Sequence, residues 1–318
     1  MPTEYLHERK DFPDLLQIIG KEMGILPYLI EKDYWIMHVL HGLQKQGFKF
    51  ELKGGTSLSK GYGIIDRFSE DIDIHITPPE GYEVKTNPKN TKGAAVESRK
   101  LYYDRLAREI QIDGIINIER DTAFDNTNTY NSGGIRLHYH SHTEKIEGVK
   151  EGILLEAGFD TVTPNEKLTI SSWAYDTASK TDGVIIQDNR AIDVSCYHPG
   201  YTFVEKLQTI ATKFRQEQEE GKINQNLMRQ YYDVYSLLAV QKVQDFIGTD
   251  AYHKHKEARF TGKERGLVIA ESEALFLSDP ELRSQYAQRY KGTATLYYKG
   301  QPAFEELLAR IKANIHKL

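Results

Sequence analysis

The sequence is poor in the features that mark secreted and membrane proteins. Cys196 is the single cysteine among 318 residues, which excludes an internal disulfide and a zinc site built from several thiolates. No apolar run reaches the roughly 18 residues that a membrane-spanning helix needs. The charged start "MPTEYLHERK" does not have the pattern of a signal peptide. We therefore expect a cytoplasmic protein from a reducing compartment.

The chain also lacks an overall excess of positive charge. Its formal net charge is −5, with 41 Lys and Arg against 46 Asp and Glu. Residues 251–318 carry a local excess, with 12 Lys and Arg against 8 Asp and Glu. Such a region is typical of a solvated helical surface, but local patches of this kind can also contact an RNA backbone.

Hydrophobic periodicity predicts an α+β protein in which a mixed sheet with flanking helices precedes a mostly helical part. The stretches with the period of two that is typical of strands are 48–55, 70–77, 133–142, 152–160 and 183–197. Two amphipathic helices broken near Gly24–Pro27 are predicted over 11–43, and a period of 3.6 begins near Tyr201. We therefore expect a sheet-containing domain over residues 1–197 and a helical domain over residues 198–318.

The stretch "KGGTSLSKGYGIIDRFSEDIDIHI", residues 53–76, excludes three common motifs. A phosphate-binding P-loop needs glycine directly before its lysine, but Ser59 precedes Lys60. A dinucleotide-binding fingerprint needs a third glycine where Asp66 stands. A calcium-binding EF-hand loop begun in this strand needs glycine where Ile76 stands.

Asp71 and Asp73 alternate along an apolar strand, so both carboxylates lie on the same face. Carboxylates side by side on a rigid element can hold two Mg²⁺ or Mn²⁺ ions, which lie about 3.5–4 Å apart in enzymes that transfer nucleotidyl groups. Glu156 stands alone in the apolar run "ILLEAGFD" and is the candidate third carboxylate, although a water-facing strand position is the alternative. The pattern predicts Asp71, Asp73 and Glu156 as a catalytic and metal-binding set.

The residues before this strand suit a triphosphate. Backbone N–H groups at a glycine turn that opens a helix can bind phosphate, and a lysine one turn later can reach it. The residues predicted to bind the nucleotide are Gly54, Gly55, Thr56, Ser57, Lys60, Arg67 and Ser69.

This order of a glycine turn, a short helix and Asp-x-Asp on a strand resembles the nucleotidyltransferase superfamily of the DNA polymerase β type. The longer stretch "LKGGTSLSKGYGIIDRFSEDIDI" is similar to the first motif of the AbiEii family of bacterial toxins, which includes the MenT toxins. Four further segments resemble family motifs in the same order, within a resemblance over residues 11–240: "LIEKDYWIMHVL", "ILLEAGF", "YTFVEKLQTIATKFR" and "RQYYDVYSLL".

The resemblance implies a polymerase β-like core and an enzyme that uses a nucleoside triphosphate and Mg²⁺ to add nucleotides to another molecule. For MenT-type members that molecule is the 3′ end of tRNA. Such toxins belong to type IV-like toxin–antitoxin systems, in which an antitoxin is encoded beside the toxin. The resemblance therefore implies tRNA or another RNA as acceptor and a cognate antitoxin as partner, with no membrane association.

Residue by residue, the resemblance implies that Asp71 and Asp73 hold the metals and that the glycine turn holds the triphosphate. It further implies that Lys206 contacts the phosphates and that Asp233 completes the catalytic site. From the residues themselves, a solvated helix lysine is the alternative for Lys206. Asp233 stands in a helix that should pack on the core, where it needs a cation such as Lys206 or Arg229 and could form a structural salt bridge.

Three alternatives remain open from the sequence. The acceptor could be a protein or a small molecule such as an antibiotic, because the sequence does not define the acceptor site. The chain could also be a non-catalytic nucleotide-binding or partner-binding protein that keeps the fold. His138, His140 and His142 alternate in one strand and could bind zinc, although a water-facing strand surface fits them better.

Overall fold

The computed structural model describes residues 3–146 and 149–318, and the chain folds into two compact units. The units are Met1–Tyr62 with Ser69–Tyr197, and Gly63–Phe68 with His198–Leu318. The division differs at one point from the sequence-based boundary at residue 197, because residues 63–68 belong to the second unit.

Backbone hydrogen bonds explain why this short segment belongs to the second unit. Phe68 N donates to the Leu296 carbonyl at 2.7 Å, and Tyr298 N donates to the Asp66 carbonyl at 3.2 Å. The Tyr298 hydroxyl also donates to the Ile65 carbonyl at 3.1 Å. These pairings join segments that are more than 200 residues apart in the chain, and no local sequence pattern reports them.

A mixed sheet forms the centre of the first unit. Its strands are β1 (Lys49–Lys53), β2 (Asp71–Thr77), β3 (Ile115–Arg120), β4 (Ser132–Tyr139), β5 (Ile153–Gly158), β6 (Asn165–Ile170) and β7 (Ala191–Tyr197). They form one seven-stranded sheet in the order β3-β4-β5-β2-β1-β7-β6. The pairs β2–β5 and β1–β7 are parallel and the other pairs are antiparallel. The predicted α+β class with a mixed sheet is confirmed.

Helices pack beside this sheet in the first unit. They are α1 (Phe12–Met23), α2 (Pro27–Lys45), α3 (Gly54–Thr56), which continues as a π-helical turn over Ser57–Gly61, α4 (Gly93–Glu109) and α5 (Trp173–Ala178). The predicted break between α1 and α2 is present, because Gly24 ends α1 with φ +67° and Pro27 opens α2. Single 3₁₀ turns occur at Leu6–Glu8 and Thr122–Phe124.

Strand β2 has one buried apolar face and one polar face. Ile72, Ile74 and Ile76 are fully buried, whereas Asp71 and Asp73 on the opposite face are half-buried. The alternation in "DIDIHIT" therefore determines which face of the strand carries the carboxylates.

The strands predicted over 183–197 and 133–142 end or begin at other residues in the structure. The stretch 183–197 forms a strand only from Ala191, and Ile185 in its first half is 71% exposed, so the apolar residues there gain no burial from a sheet. The stretch 133–142 ends as a strand at Tyr139. His140 and His142 therefore lie beyond the strand, and the predicted row of three histidines on one strand face is wrong.

The second unit is mostly helical. Its helices are α6 (Pro199–Glu220), α7 (Leu227–Leu237), α8 (Gln241–Phe246), α9 (Asp250–Arg259), α10 (Glu273–Phe276), α11 (Pro280–Lys291) and α12 (Phe304–Asn314). Its 3₁₀ turns are Gly262–Glu264, Ile269–Glu271, Ala294–Leu296 and Ile315–Lys317. Within residues 3–146 and 149–318, no helix combines the length and apolar character needed to cross a membrane.

Helix α2 carries a buried histidine that predicts how stability depends on pH. His38 is 1% exposed; its Nε2 lies 2.9 Å from the Asp113 carbonyl and its Nδ1 lies 2.8 Å from the Asn189 amide nitrogen. A neutral imidazole with its proton assigned to Nε2 satisfies both contacts. Burial, with a smaller contribution from His7, lowers the pKa of His38 to about 3.

We expect the free energy of unfolding to fall as the pH decreases below 6.5. Above that pH the imidazole is neutral in both states, whereas between pH 6.5 and about 3 the unfolded chain binds a proton that folded His38 does not. His38 should lower the free energy of unfolding by up to about 1.4 kcal/mol for each pH unit in this range. Urea denaturation of wild type and His38→Gln between pH 7.5 and 4.5 tests this, with exposed His253→Gln as control. Equal slopes for wild type and His38→Gln would contradict it.

Candidate active site

The sheet register places the three predicted carboxylates at neighbouring positions. Asp71 and Asp73 share one face of β2, and Glu156 on β5 stands directly opposite Asp73 in the parallel β2–β5 register. Glu156 is the half-buried residue in a strand whose other members are all buried. The carboxylates therefore come from two adjacent strands of the sheet centre, where the backbone hydrogen bonds of neighbouring strands restrict their movement.

The surroundings of this carboxylate cluster disfavour the ionised forms of Asp71 and Glu156. Burial raises the pKa of Asp71, against the effect of the nearby Lys150 ammonium. Burial and the negative charges of Asp73 and Asp71 raise the pKa of Glu156 to about 8. Asp71 Oδ1 is buried and accepts no hydrogen bond from the described residues. The described residues therefore provide too little nearby positive charge, and too few hydrogen-bond donors, to stabilise all of these carboxylates in their ionised forms.

The glycine turn lies against the second aspartate. Gly54 has φ +71°, and a Cβ atom added there would stand 2.2 Å from Asp73 Oδ2. The Thr56 hydroxyl donates to the Asp71 carbonyl at 2.5 Å. Gly55, Thr56 and the neighbouring Ser57 are buried. The turn therefore fits closely against the start of β2 and requires glycine at its first position.

Lys60, predicted to contact phosphate, forms an ion pair with the buried Asp33. Its Nζ lies 2.8 Å from Asp33 Oδ1, and Asp33 also accepts a hydrogen bond from Trp173 N at 2.8 Å. The Lys60 ammonium lies 4.8 Å from the Trp173 ring centroid. These contacts give Lys60 a structural role in holding α2, the glycine turn and α5 together. Ser69 is half-buried and directly precedes Glu70.

Lys150, which no sequence motif indicated, contacts the carboxylate cluster. Its Nζ lies 2.7 Å from Asp71 Oδ2. It belongs to a charged segment between β4 and β5 that has neither helical nor strand periodicity, so its spacing from Asp71 gives no signal in the sequence. Only the pairing of β2 with β5 brings it to Asp71.

In the second unit, Asp233 on α7 is fully buried between two cations. Arg67 binds both of its oxygens at 2.7 Å, and Lys206 Nζ lies 2.9 Å from Oδ2. Burial alone would raise the pKa of Asp233, but these two cations outweigh it and hold the pKa below its usual value. Lys206 is a cationic partner of Asp233, as the sequence suggested. Arg67, which the sequence assigned to phosphate, forms the bidentate pair with Asp233.

Breaking the Arg67–Asp233 pair is expected to destabilise the protein. Asp233→Leu leaves a guanidinium that is 5% exposed without its carboxylate, which should lower the free energy of unfolding by about 3–5 kcal/mol. The double variant Arg67→Met/Asp233→Leu should regain most of that loss, because the more deeply buried of the two cations is then removed together with Asp233, and Lys206, which is 13% exposed, can reach water. Urea denaturation measures all three proteins, and an Asp233→Leu value within about 1 kcal/mol of wild type would contradict the prediction.

The residues of the carboxylate cluster fit a divalent cation, on two observations. Asp71 Oδ1 is a buried oxygen without a partner, and three carboxyl groups stand at neighbouring positions of β2 and β5 with one lysine. Within the described ranges, no group of three or more His, Cys, Asp or Glu side chains is placed to hold a metal ion. The predicted protein ligands of such an ion are therefore a pair, Asp71 and Asp73, with Glu156 beside them.

Acidic pairs on one strand next to a glycine turn are typical of enzymes that transfer phosphoryl and nucleotidyl groups. The family model described as "Nucleotidyl transferase AbiEii toxin, Type IV TA system" matches residues 40–310. The chain therefore belongs to the AbiEii family of nucleotidyltransferase toxins of type IV toxin–antitoxin systems. The resemblance to the family is confirmed; the match begins at residue 40, so it does not cover the N-terminal motif at 29–40, and it extends past residue 240 to residue 310.

Family membership implies a nucleoside triphosphate as substrate and an antitoxin as partner. A solved structure of an antigenic nucleotidyltransferase-like protein from Paracoccidioides brasiliensis is also similar, with 11% identity over 80% of this chain and 92% of that chain. The TM-score is 0.37, so no detail is carried over from it. No curated protein matches the chain significantly.

Proposed function

We propose that this protein transfers a nucleoside monophosphate from a nucleoside triphosphate to an acceptor hydroxyl, with release of pyrophosphate, and that the acceptor is the 3′ end of tRNA. The observation that carries the proposal is the register that places Glu156 opposite Asp73, two residues from Asp71, in a chain of the AbiEii family. The tRNA acceptor rests on the resemblance to MenT-type members.

Asp71 and Asp73 would hold Mg²⁺ or Mn²⁺ in this reaction. The ion neutralises charge on the phosphates and lowers the pKa of the attacking hydroxyl. Gly54 keeps the turn close to Asp73, so that the backbone of Gly55, Thr56 and Ser57 can face the triphosphate.

The chemistry needs one proton acceptor. The acceptor oxygen forms a bond to the α-phosphorus, the bond from the α-phosphorus to the bridging oxygen breaks, and pyrophosphate leaves. The hydroxyl proton passes to a carboxylate, for which Asp73 and Glu156 are the candidates. The resemblance also assigns Lys206 to the phosphates, and Asp233 with Arg67 would hold its ammonium in place.

A transfer assay tests this proposal directly. The purified protein is incubated with Mg²⁺, each α-labelled nucleoside triphosphate in turn and total cellular RNA, with Asp71→Ala as the inactive control. Label in a tRNA-sized band that requires the divalent cation and disappears with Asp71→Ala is the expected result. The same assay without RNA, but with cell protein or aminoglycosides, examines the other acceptors.

Label in protein or in a small molecule, but not in RNA, would contradict the tRNA acceptor and leave nucleotidyl transfer standing. No label with any acceptor, together with nucleotide binding by titration calorimetry, would contradict catalysis and favour a binding protein.

A further inference from the structure

Lys150 reaches the carboxylate cluster because its main chain is held by a buried ion pair between Lys32 on α2 and Glu70, the residue before β2. Lys32 Nζ donates to the Lys150 carbonyl, and Lys150 N donates to Glu70 Oε2 at 3.0 Å. Lys32 Nζ and Glu70 Oε2 are themselves 3.8 Å apart. The Tyr28 hydroxyl also donates to the Lys150 carbonyl, at 3.3 Å.

Lys32, Glu70 and the Lys150 main chain form a ring of contacts that holds both the Lys150 segment and the start of β2. Glu70 directly precedes Asp71, so the same pair that holds the Lys150 backbone also holds the start of β2. The Lys32 and Glu70 side chains are 0% and 4% exposed, and a buried ion pair is costly unless its geometry and remaining hydrogen bonds are good. The ring therefore fixes the Lys150 main chain beside Asp71, and the Lys150 side chain reaches the carboxylate from there.

The Lys150 ammonium itself is accessible. Its side chain is 26% exposed and its Nζ lies 4.5 Å from the Phe124 ring centroid. Two cations that the sequence assigned to phosphate have carboxylate partners away from this cluster, since Lys60 pairs with Asp33 and Arg67 pairs with Asp233. In the first unit, Lys150 is thus a cation placed directly at the candidate metal ligand.

We propose that Lys150 is a substrate-binding residue of this site, whose ammonium competes with a divalent cation for Asp71 and binds a phosphate oxygen once a metal–nucleotide complex is present. The proposal rests on the proposed function of the same carboxylates. Asp71 Oδ1 is open to a cation, whereas Oδ2 holds the Lys150 ammonium. A cation on this carboxylate places a like charge beside the ammonium and drives it from Oδ2, and the phosphates that arrive with the cation are the nearest new acceptors.

This role predicts effects of opposite sign on two binding equilibria. In Lys150→Met, the free divalent cation should bind roughly tenfold more tightly, because a like charge is gone from its site. The metal–nucleotide complex should bind roughly tenfold more weakly, because a charge-assisted hydrogen bond to phosphate is lost. Lys150→Arg should keep nucleotide affinity within about threefold, because its donors also reach phosphate.

The experiment uses the full-length chain and needs no turnover. Electron paramagnetic resonance titration with Mn²⁺ measures free-cation affinity, and calorimetric titration with Mg²⁺ and non-hydrolysable α,β-methylene triphosphates measures nucleotide affinity. Lys145→Met is the matched control, since Lys145 lies in the same segment but pairs with Glu151 on the surface. It should behave as wild type in both titrations, and circular dichroism checks the fold of each variant.

Opposite changes in Lys150→Met, with wild-type behaviour of Lys145→Met, support the proposal. Parallel losses of both affinities would overturn it, because they indicate that Lys150 only maintains the shape of the site. Unchanged affinities would overturn it as well. Absence of Mn²⁺ and nucleotide binding in the wild type would instead contradict the proposed function, so the two failures are distinguishable.

Discussion

Replacing Asp71 by asparagine is expected to abolish nucleotidyl transfer while leaving the fold intact. The carboxylate supplies metal ligation worth several kcal/mol in the transition state, so activity should fall at least about 1,000-fold. The fold should tolerate the change, because burial already disfavours the charged form of Asp71, as its raised pKa shows. The transfer assay measures the first effect and thermal unfolding measures the second.

The matched control for Asp71→Asn is Asp182→Asn, which removes one carboxylate from an exposed turn. It should leave both activity and the unfolding temperature at the wild-type values. If Asp71→Asn retained activity within about tenfold of wild type, the metal ligands would have to be sought elsewhere in the chain.

Replacing Gly54 by alanine is expected to damage the same site without removing any of its functional groups. The added Cβ would stand 2.2 Å from Asp73 Oδ2, so either the turn or the carboxylate must move. Displacements of about 1 Å at a catalytic group can cost about 100-fold in rate, and we expect a loss of at least that size. The φ of +71° adds a backbone cost of about 1 kcal/mol for alanine.

Gly24→Ala is the control that distinguishes the steric clash with Asp73 at position 54 from the backbone strain that alanine causes at a positive φ. Gly24 has nearly the same φ, +67°, at the end of α1, and a Cβ there would meet nothing within 4 Å. It should lower the free energy of unfolding by a similar amount, about 1 kcal/mol, and leave transfer unchanged. Equal activity of Gly54→Ala and Gly24→Ala would show that the turn does not need its close approach to Asp73.

Together the Asp71 and Gly54 variants distinguish ligand identity from ligand position. Asp71→Asn removes a ligand from an undisturbed backbone, so stability should be unaffected while activity disappears. Gly54→Ala keeps every ligand and moves one of them, so both quantities should decrease. Measuring transfer and unfolding for the same two variants therefore tests the geometry of the turn and the chemistry of the carboxylates independently.

Much of the carboxylate site could be predicted because it depends on local periodicity. A strand has a period of two, so "DIDIHI" places Asp71 and Asp73 on one face wherever the strand lies. The apolar run around Glu156 identifies β5, because a short continuous apolar run is typical of a strand buried on both faces. The need for glycine at position 54 also appears in the sequence, although its cause, the contact with Asp73, does not.

Other elements escaped the sequence because their signals are weak or non-local. The edge strands β3 and β6 were not predicted, since the polar residues in "IINIER" and "NEKLTI" mask any strong alternation. The carboxylate partners of Lys60 and Arg67 were not predicted either, because they come from distant elements, Asp33 on α2 and Asp233 on α7. The partner of a buried charge is set by packing, which residue spacing does not reveal.

The sequence by itself determined the family of this protein and its candidate catalytic groups. These groups are the carboxylates of β2, the isolated Glu156 and the glycine turn. Each of these is encoded within a few neighbouring residues. The tertiary structure alone decided which cation accompanies the carboxylates. Lys150 reaches Asp71 through a parallel strand pair and a buried Lys32–Glu70 contact, and such long-range pairing depends on the folded sheet rather than on any local pattern.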